Sequence, residues 1–289
     1  MTRKKNFDGV SGTLTNFLGR PAKWVCVSLF AALVIFPLYW LFTSAIKYEA
    51  DYLASPPVLV PTRATLQNFV AIFTQDGVGR GLYNSLVITL VATALAVLFG
   101  SLAAYALTRG TLGRRTRGFF AFWFLLQKMY PAIATAIPIY LVMRQLHLID
   151  TKTAMIILNT SFNFPMVIWL MMGFFQEVPE AIEESGMIDG CGMARRFFSL
   201  VLPIVKPGLI ASSILTFVGA WNEFLFAAIL SVRKAKTLPA IIAGFITDRG
   251  LEWGPMAATG VTVIVPVFIL VWLLQKDFVQ GLTLGSVKG

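Results

Sequence analysis

An all-α, polytopic membrane protein with six transmembrane helices is the fold this sequence predicts, and three observations predict it. Its 289 residues are 57% hydrophobic and only 13% charged, with a mean hydropathy of +0.74, more apolar than a soluble domain of this length needs to be. The apolar residues gather into six runs, each long enough to cross roughly 30 Å of hydrocarbon at about 1.5 Å per residue. The basic residues behind the net charge of +10 lie in short segments between these runs. Positive-inside bias accounts for that placement, so nucleic acid is not an expected partner and the lipid bilayer is.

Residues 1–22 form a polar, basic N-terminal segment with Arg3, Lys4, Lys5 and Arg20. The first run, at about 24–43, is expected to be a retained helix rather than a cleaved signal, because Phe36 to Trp40 offers no small-residue cleavage site. Residues 47–80 carry Pro56, Pro57 and Pro61 and read as a loop with a short amphipathic piece at 66–73. A second span at 82–107 leads to Arg109, Arg114, Arg115 and Arg117, with no acid among them. A third span, 119–142, is interrupted by Lys128, Pro131 and Pro138. A turn around 147–152 leads to the fourth span, 154–175. The fifth covers 207–230 and the sixth 256–274, closing a transmembrane region of 23–275, and a polar tail runs from 276 to 289.

Six spans put both ends on one side. With that side inside, fourteen Lys and Arg fall on inner segments and nine on outer ones, so both termini are expected in the cytoplasm of a cell (inner) membrane.

The stretch from Pro179 to Pro207 is charged and carries no spanning run. Pro179 with Glu180, Glu183 and Glu184 starts a helix favourably, since carboxylates in a first turn complement the helix dipole. Gly190 and Gly192 mark a bend, and Leu202-Pro203 a second break. Ala181, Ile182, Ser185 and Ile188 recur at helical steps, as do Met193, Phe197 and Leu200, giving each half one apolar stripe with which to dock.

The spacing Glu184-Ser185-Gly186, three residues, Gly190, nine residues, Leu200-Val201-Leu202-Pro203 resembles the EAA loop of permease subunits from binding-protein-dependent ABC importers. Two alanines of that pattern are Ser185 and Gly186 here, and Gly186 is expected to loosen the first helix by roughly 1 kcal/mol relative to Ala. Trp221-Asn222-Glu223-Phe224 and the ending Gly281-Leu282-Thr283, Gly285 to Gly289 are similar to the carbohydrate-importing branch, relatives of the maltose transporter's smaller permease subunit. The resemblance implies that Glu184, Ser185, Gly186, Asp189, Gly190, Leu202 and Pro203 couple the chain to a cytoplasmic ATPase dimer. It also implies a second permease, an extracytoplasmic binding protein and a carbohydrate cargo. No GxxxxGK[ST] phosphate loop occurs, so ATP and Mg are expected on the partner ATPase, with no cofactor and no enzymatic activity in this chain.

Within the membrane, Glu223 stands about sixteen residues past Pro207, roughly 24 Å along an unbroken helix. A carboxylate there either faces a wet cavity and accepts from substrate hydroxyls or makes an interhelical bond. Asn222, Trp221, Asn163 and Tyr130 are the other pathway candidates, and Lys128 is a conceivable partner for Glu223. Asn84 and Asn159 read as polar glue or ligands, Trp169 as a packing residue or a sugar platform, and His147 as a solvated turn residue. Cys26 and Cys191 belong to no CxxC pair or Cys/His cluster, so no metal or disulfide is expected. An importer of a non-carbohydrate solute remains open. An ion-coupled transporter with Glu223 as its ion site would show inverted repeats, and none is visible. A membrane-embedded enzyme would need a catalytic constellation that the sequence lacks.

Overall fold

The computed structural model describes residues 20–248 and 250–284, and the expectations for 1–19 and for Gly285 to Gly289 lie outside the described residues. In chain order the helices are α1 (Arg20–Ala45), α2 (Glu49–Tyr52), α3 (Gln67–Thr74), α4 (Val78–Arg109), α5 (Arg114–Met129), α6 (Ala136–Gln145), α7 (Lys152–Glu177) and α8 (Glu180–Ile188). They continue with α9 (Met193–Ile204), α10 (Lys206–Trp221), α11 (Leu225–Leu230), α12 (Leu238–Ala243) and α13 (Trp253–Leu284). Between α12 and α13 lies a two-stranded antiparallel hairpin, β1 (Ile246–Thr247) with β2 (Gly250–Leu251), a small exception to the all-α expectation.

Helices α1, α4, α7 and α13 are each long and apolar enough to cross a membrane, and two bent pairs bring the number to six if each pair is one span. The bends correct the sequence reading of the third and fifth spans. The third turns through 92° between α5 and α6, because Pro131 has no N–H to continue the ladder and disfavours helical backbone at Tyr130 before it. The fifth ends as a helix at Trp221 and resumes only at Leu225. At its other end α9 meets α10 at 81°. Helix α13 continues to Leu284, ten residues past the expected end of the sixth span at 274.

The centre of the bundle is α4 against α7. A Cβ at Gly100 would lie 2.6 Å from Val167 Cγ1, so the absence of a side chain lets the two helices touch. Helix α10 meets α7 the same way: a Cβ at Gly208 would run into the Phe174 ring, and one at Gly219 would sit 2.8 Å from Asn163 Oδ1. Three apolar cores result. One joins α4 and α7 to Phe197, Val201 and Val205, a second joins the end of α1 to α3, α10, α12 and α13, and a third holds Ile88, Met143, Met155 and Phe226. Outside them Trp24, Leu29, Phe30 and Leu33 of α1 are exposed, as befits helices whose solvent is hydrocarbon.

Candidate coupling site and transport pathway

Around residues 179–206 the chain builds a helix–turn–helix whose turn is fixed by backbone chemistry. Helix α8 ends in a Schellman motif: Cys191 N–H donates to Gly186 O at 2.8 Å and Gly190 N–H to Met187 O at 3.0 Å. Gly190 has φ of +76°, the left-handed conformation that costs a side chain-bearing residue about 1–2 kcal/mol. Asp189 caps the helix by donating its N–H to Ser185 O, and Ser185 Oγ donates back to Ala181 O at 2.8 Å. A Cβ at Gly186 would lie 2.6 Å from Leu200 Cδ1, so the glycine that weakens α8 locally lets α8 and α9 close on each other. A π-helical turn at Arg196–Val201 follows, then Leu202, half-buried, and Pro203, exposed, lead to the bend before α10.

The buried face of α8 differs from the stripe read in the sequence. Ile182 packs on the core, but Glu183 and Gly186 are the buried residues, while Ile188 is 87% exposed. Met187, Met193 and Phe198 are each about half exposed, so with Ile188 this segment leaves four large apolar side chains uncovered, of which Met187 and Ile188, next to the turn, are its apolar tip. Glu184 is exposed beside it and lines a cleft of about 260 Å³ with Arg117 and Arg196.

Glu183 is the residue that sequence reasoning passed over. At 5% exposure its Oε1 lies 2.9 Å from Arg109 Nε, and its Oε2 accepts the Tyr105 hydroxyl at 2.5 Å. Arg109, the last residue of α4, also reaches Glu180 Oε1 at 2.9 Å and donates to the carbonyls of Phe175, which also takes the Val178 N–H, and of Val178, at the end of α7. These are the salt bridges found among the described residues. The available signal was Tyr105 and Arg109 four apart, on one helix face, opposite a run of acids.

Toward the other end of the bundle the pathway candidates separate. Glu223 is not an open acceptor: Oε1 takes the Phe226 N–H at 2.7 Å and Oε2 the Ala227 N–H at 3.1 Å, capping the first turn of α11. Lys128 does not pair with it and points its Nζ at Phe162 O, 3.5 Å away. Trp221 is 2% exposed and stacks on Phe217 with centroids 5.6 Å apart, inside the core, so it offers no ring face to a sugar. Asn222 is exposed and bonds back to Val218 O. Asn163 is buried against Gly219 and donates to Asn159 O, which makes it helix-packing glue. Asn159 donates to Met155 O, and Asn84 ties the carbonyls of Lys234 and Lys236. Trp169 links α7 to Ala121 O of α5.

Tyr130 alone of the five named candidates lines a large cavity. It is 57% exposed on the wall of a space of about 950 Å³ between α4, the α5–α6 bend and α7. Gln127, Thr135, Thr160 and Ser161 add polar groups to that wall, and Phe124 and Phe164 add rings.

At the far end, beyond His147, which has φ of +56°, the Asp150 carboxylate accepts the backbone N–H groups of Val232, Arg233, Lys234 and Ala235. Burial pushes this carboxyl up, but the four backbone donors outweigh it and hold the group below its usual value.

Residues 96–276 match the family model described as the binding-protein-dependent transport system inner membrane component. The chain belongs to that family. This inner membrane component is 33% identical to the sulfoquinovosyl glycerol transport system permease protein SmoH of Agrobacterium fabrum, over 96% of this chain and 97% of that protein. It is 33% identical to the diacetylchitobiose uptake system permease protein DasC of Streptomyces coelicolor, over 91% and 95% respectively. Its fold is that of a chain in a bacterial ABC transporter involved in the import of the acidic polysaccharide alginate, with a TM-score of 0.75, 22% identity, and coverage of 96% of this chain and all of that one. It is accordingly a multi-pass membrane transport component.

Proposed function

We propose that this chain is one of two permease subunits of an ABC importer that carries a carbohydrate into the cytoplasm, driven by ATP hydrolysis on a separate ATPase pair. A binding protein on the outer side delivers the cargo. The Arg109 end of the bundle faces the cytoplasm, as do both termini, and α8 with α9 docks on the ATPase through the Glu184 to Pro203 segment.

One observation carries this reading: the helix–turn–helix at 180–204 has a hydrogen-bonded turn yet leaves Ile188 87% exposed and Met187, Met193 and Phe198 about half exposed. A protein does not hold an apolar tip of this kind on a charged segment without a surface to cover it. The carbohydrate assignment follows the relatives named for sulfoquinovosyl glycerol and diacetylchitobiose. The Tyr130 cavity suits it, since rings and scattered hydroxyl and amide groups are what a sugar's apolar faces and hydroxyls require.

Co-purification with the ATPase tests the docking. Wild-type protein is expected to retain it, and Ile188→Asp to lose it while still inserting in the membrane; retention by the variant would refute docking through this tip. Proteoliposomes test the function. Uptake by this chain reconstituted without an ATPase would refute the importer reading.

A further inference from the structure

We infer that Arg109, Glu183 and Tyr105 form a clamp that delivers the movement of the coupling segment to the paired helices α4 and α7, by a route separate from the covalent one into α10. This rests on the importer reading above. The covalent route is the obvious one, because α9 runs straight on into α10. Yet the two helices meet at 81°, with only Val205 between them. A bend of that size at a single connecting residue is a place where rotation is absorbed, not a rod.

The clamp is built differently. The Arg109 guanidinium faces three partners: Nη1 bonds Glu180, Nη2 donates to the carbonyls of Phe175 and Val178, and Nε lies 2.9 Å from Glu183 Oε1 as an ion pair rather than an aligned hydrogen bond. One side chain of α4 thus closes the end of α7 and grips α8. Both oxygens of Glu183 face α4: Oε1 is ion-paired with Arg109 Nε without the alignment of a hydrogen bond, and Oε2 accepts the Tyr105 hydroxyl. The Tyr105 ring then packs edge-on against Phe175 of α7 at 5.5 Å and against Phe197 of α9 at 5.0 Å. Charge, hydroxyl and ring contacts all tie the coupling segment to the same two helices. Those two are in turn locked together where Gly100 meets Val167. The group is desolvated, so displacing α8 without α4 and α7 would strand a buried guanidinium or carboxylate. Moving them together strands nothing. Tyr105 and Glu183 are positioning residues and touch neither nucleotide nor cargo.

The experiment uses the assembled transporter, with Cys26 and Cys191 changed to Ser and a nitroxide on a single introduced cysteine. Gly173→Cys reports on α7, where an added side chain meets nothing within 4 Å. Leu215→Cys reports on α10. Accessibility of the label, to a water-soluble nickel chelate at 173 and to oxygen at 215, is read before and after trapping with MgATP and vanadate. Glu183→Gln and Tyr105→Phe are each expected to shrink the response at 173 by about threefold or more, with ATP hydrolysis per complex and the response at 215 preserved. An undiminished response at 173 in either assembled variant overturns the clamp. Equal loss at both labels also overturns it, since that is loosened docking. If Glu183→Gln fails to assemble, Tyr105→Phe, which keeps the ring packing, decides alone. A wild-type complex that responds at neither label would instead sink the importer reading.

Discussion

Glu183 and Glu223 are both carboxylates set among apolar helices, and the protein satisfies them in opposite ways. Glu223 takes two backbone N–H groups from the next turn of its own chain. Glu183 takes a guanidinium and a phenol from a helix more than seventy residues away in sequence. The first stabilises a local feature, the restart of a helix after a break. The second joins three elements that the chain itself would leave free to move. The difference shows that what makes a buried carboxylate informative is where its partners come from: one of these two lies in the fifth span and the other outside every span, and that placement says little about the partners.

The contrast can be broken by substitution, and the largest effect should come from Glu183. Glu183→Ala takes from Arg109 its buried carboxylate, leaving only the exposed Glu180 and two carbonyls, and from Tyr105 its acceptor, and should destabilise the detergent-solubilised protein by about 3 kcal/mol in a denaturation titration. Asp150 separates distance from donor type, since its partners are remote but are backbone amides. Asp150→Asn should cost about 2 kcal/mol, the scale of charge-assisted hydrogen bonds. A carboxyl held below its usual value contributes stability that is full above its unfolded pKa and is lost as pH falls through the lower folded value. Amide exchange at 232–235 should therefore quicken on acidification through that window in the wild type, and not in Asp150→Asn. Glu223→Ala should cost about 1 kcal/mol, the loss of a cap, with fraying confined to α11. Glu180→Ala removes the pair whose carboxylate is 76% exposed and should cost less than about 0.5 kcal/mol, less still in high salt.

How far the sequence was legible follows from the same contrast. The spans at 82–107 and 154–175 show as long apolar runs free of charged residues because a lipid solvent imposes them, and α4 and α7 extend a few residues beyond each. The bend at Pro131 was visible as an interruption, but not as 92°. The break after Trp221 was not visible, since Asn222 and Glu223 carry no proline or glycine signal, and Glu223, which caps the next helix, is not among the usual Ser, Thr, Asp or Asn. In the coupling segment, glycine spacing located the turn at Gly190. The role of Gly186 was hidden, because its value lies in how near Leu200 comes from another helix. Glu183 and Glu184 are neighbours of one type, and only the fold decides that the first turns inward to Arg109 and the second outward. Trp221 shows the reverse: a residue named as a pathway candidate is filling the core.

The most direct test is a pair of double-mutant cycles on unfolding, Arg109→Ala with Glu183→Ala and Lys128→Ala with Glu223→Ala. The first should give a coupling of about 2 kcal/mol or more, because each side chain's environment depends on the other. The second should lie within about 0.5 kcal/mol of zero, the additivity of unlinked sites. Couplings of equal size in the two cycles would contradict the division between a clamp at Glu183 and a local cap at Glu223.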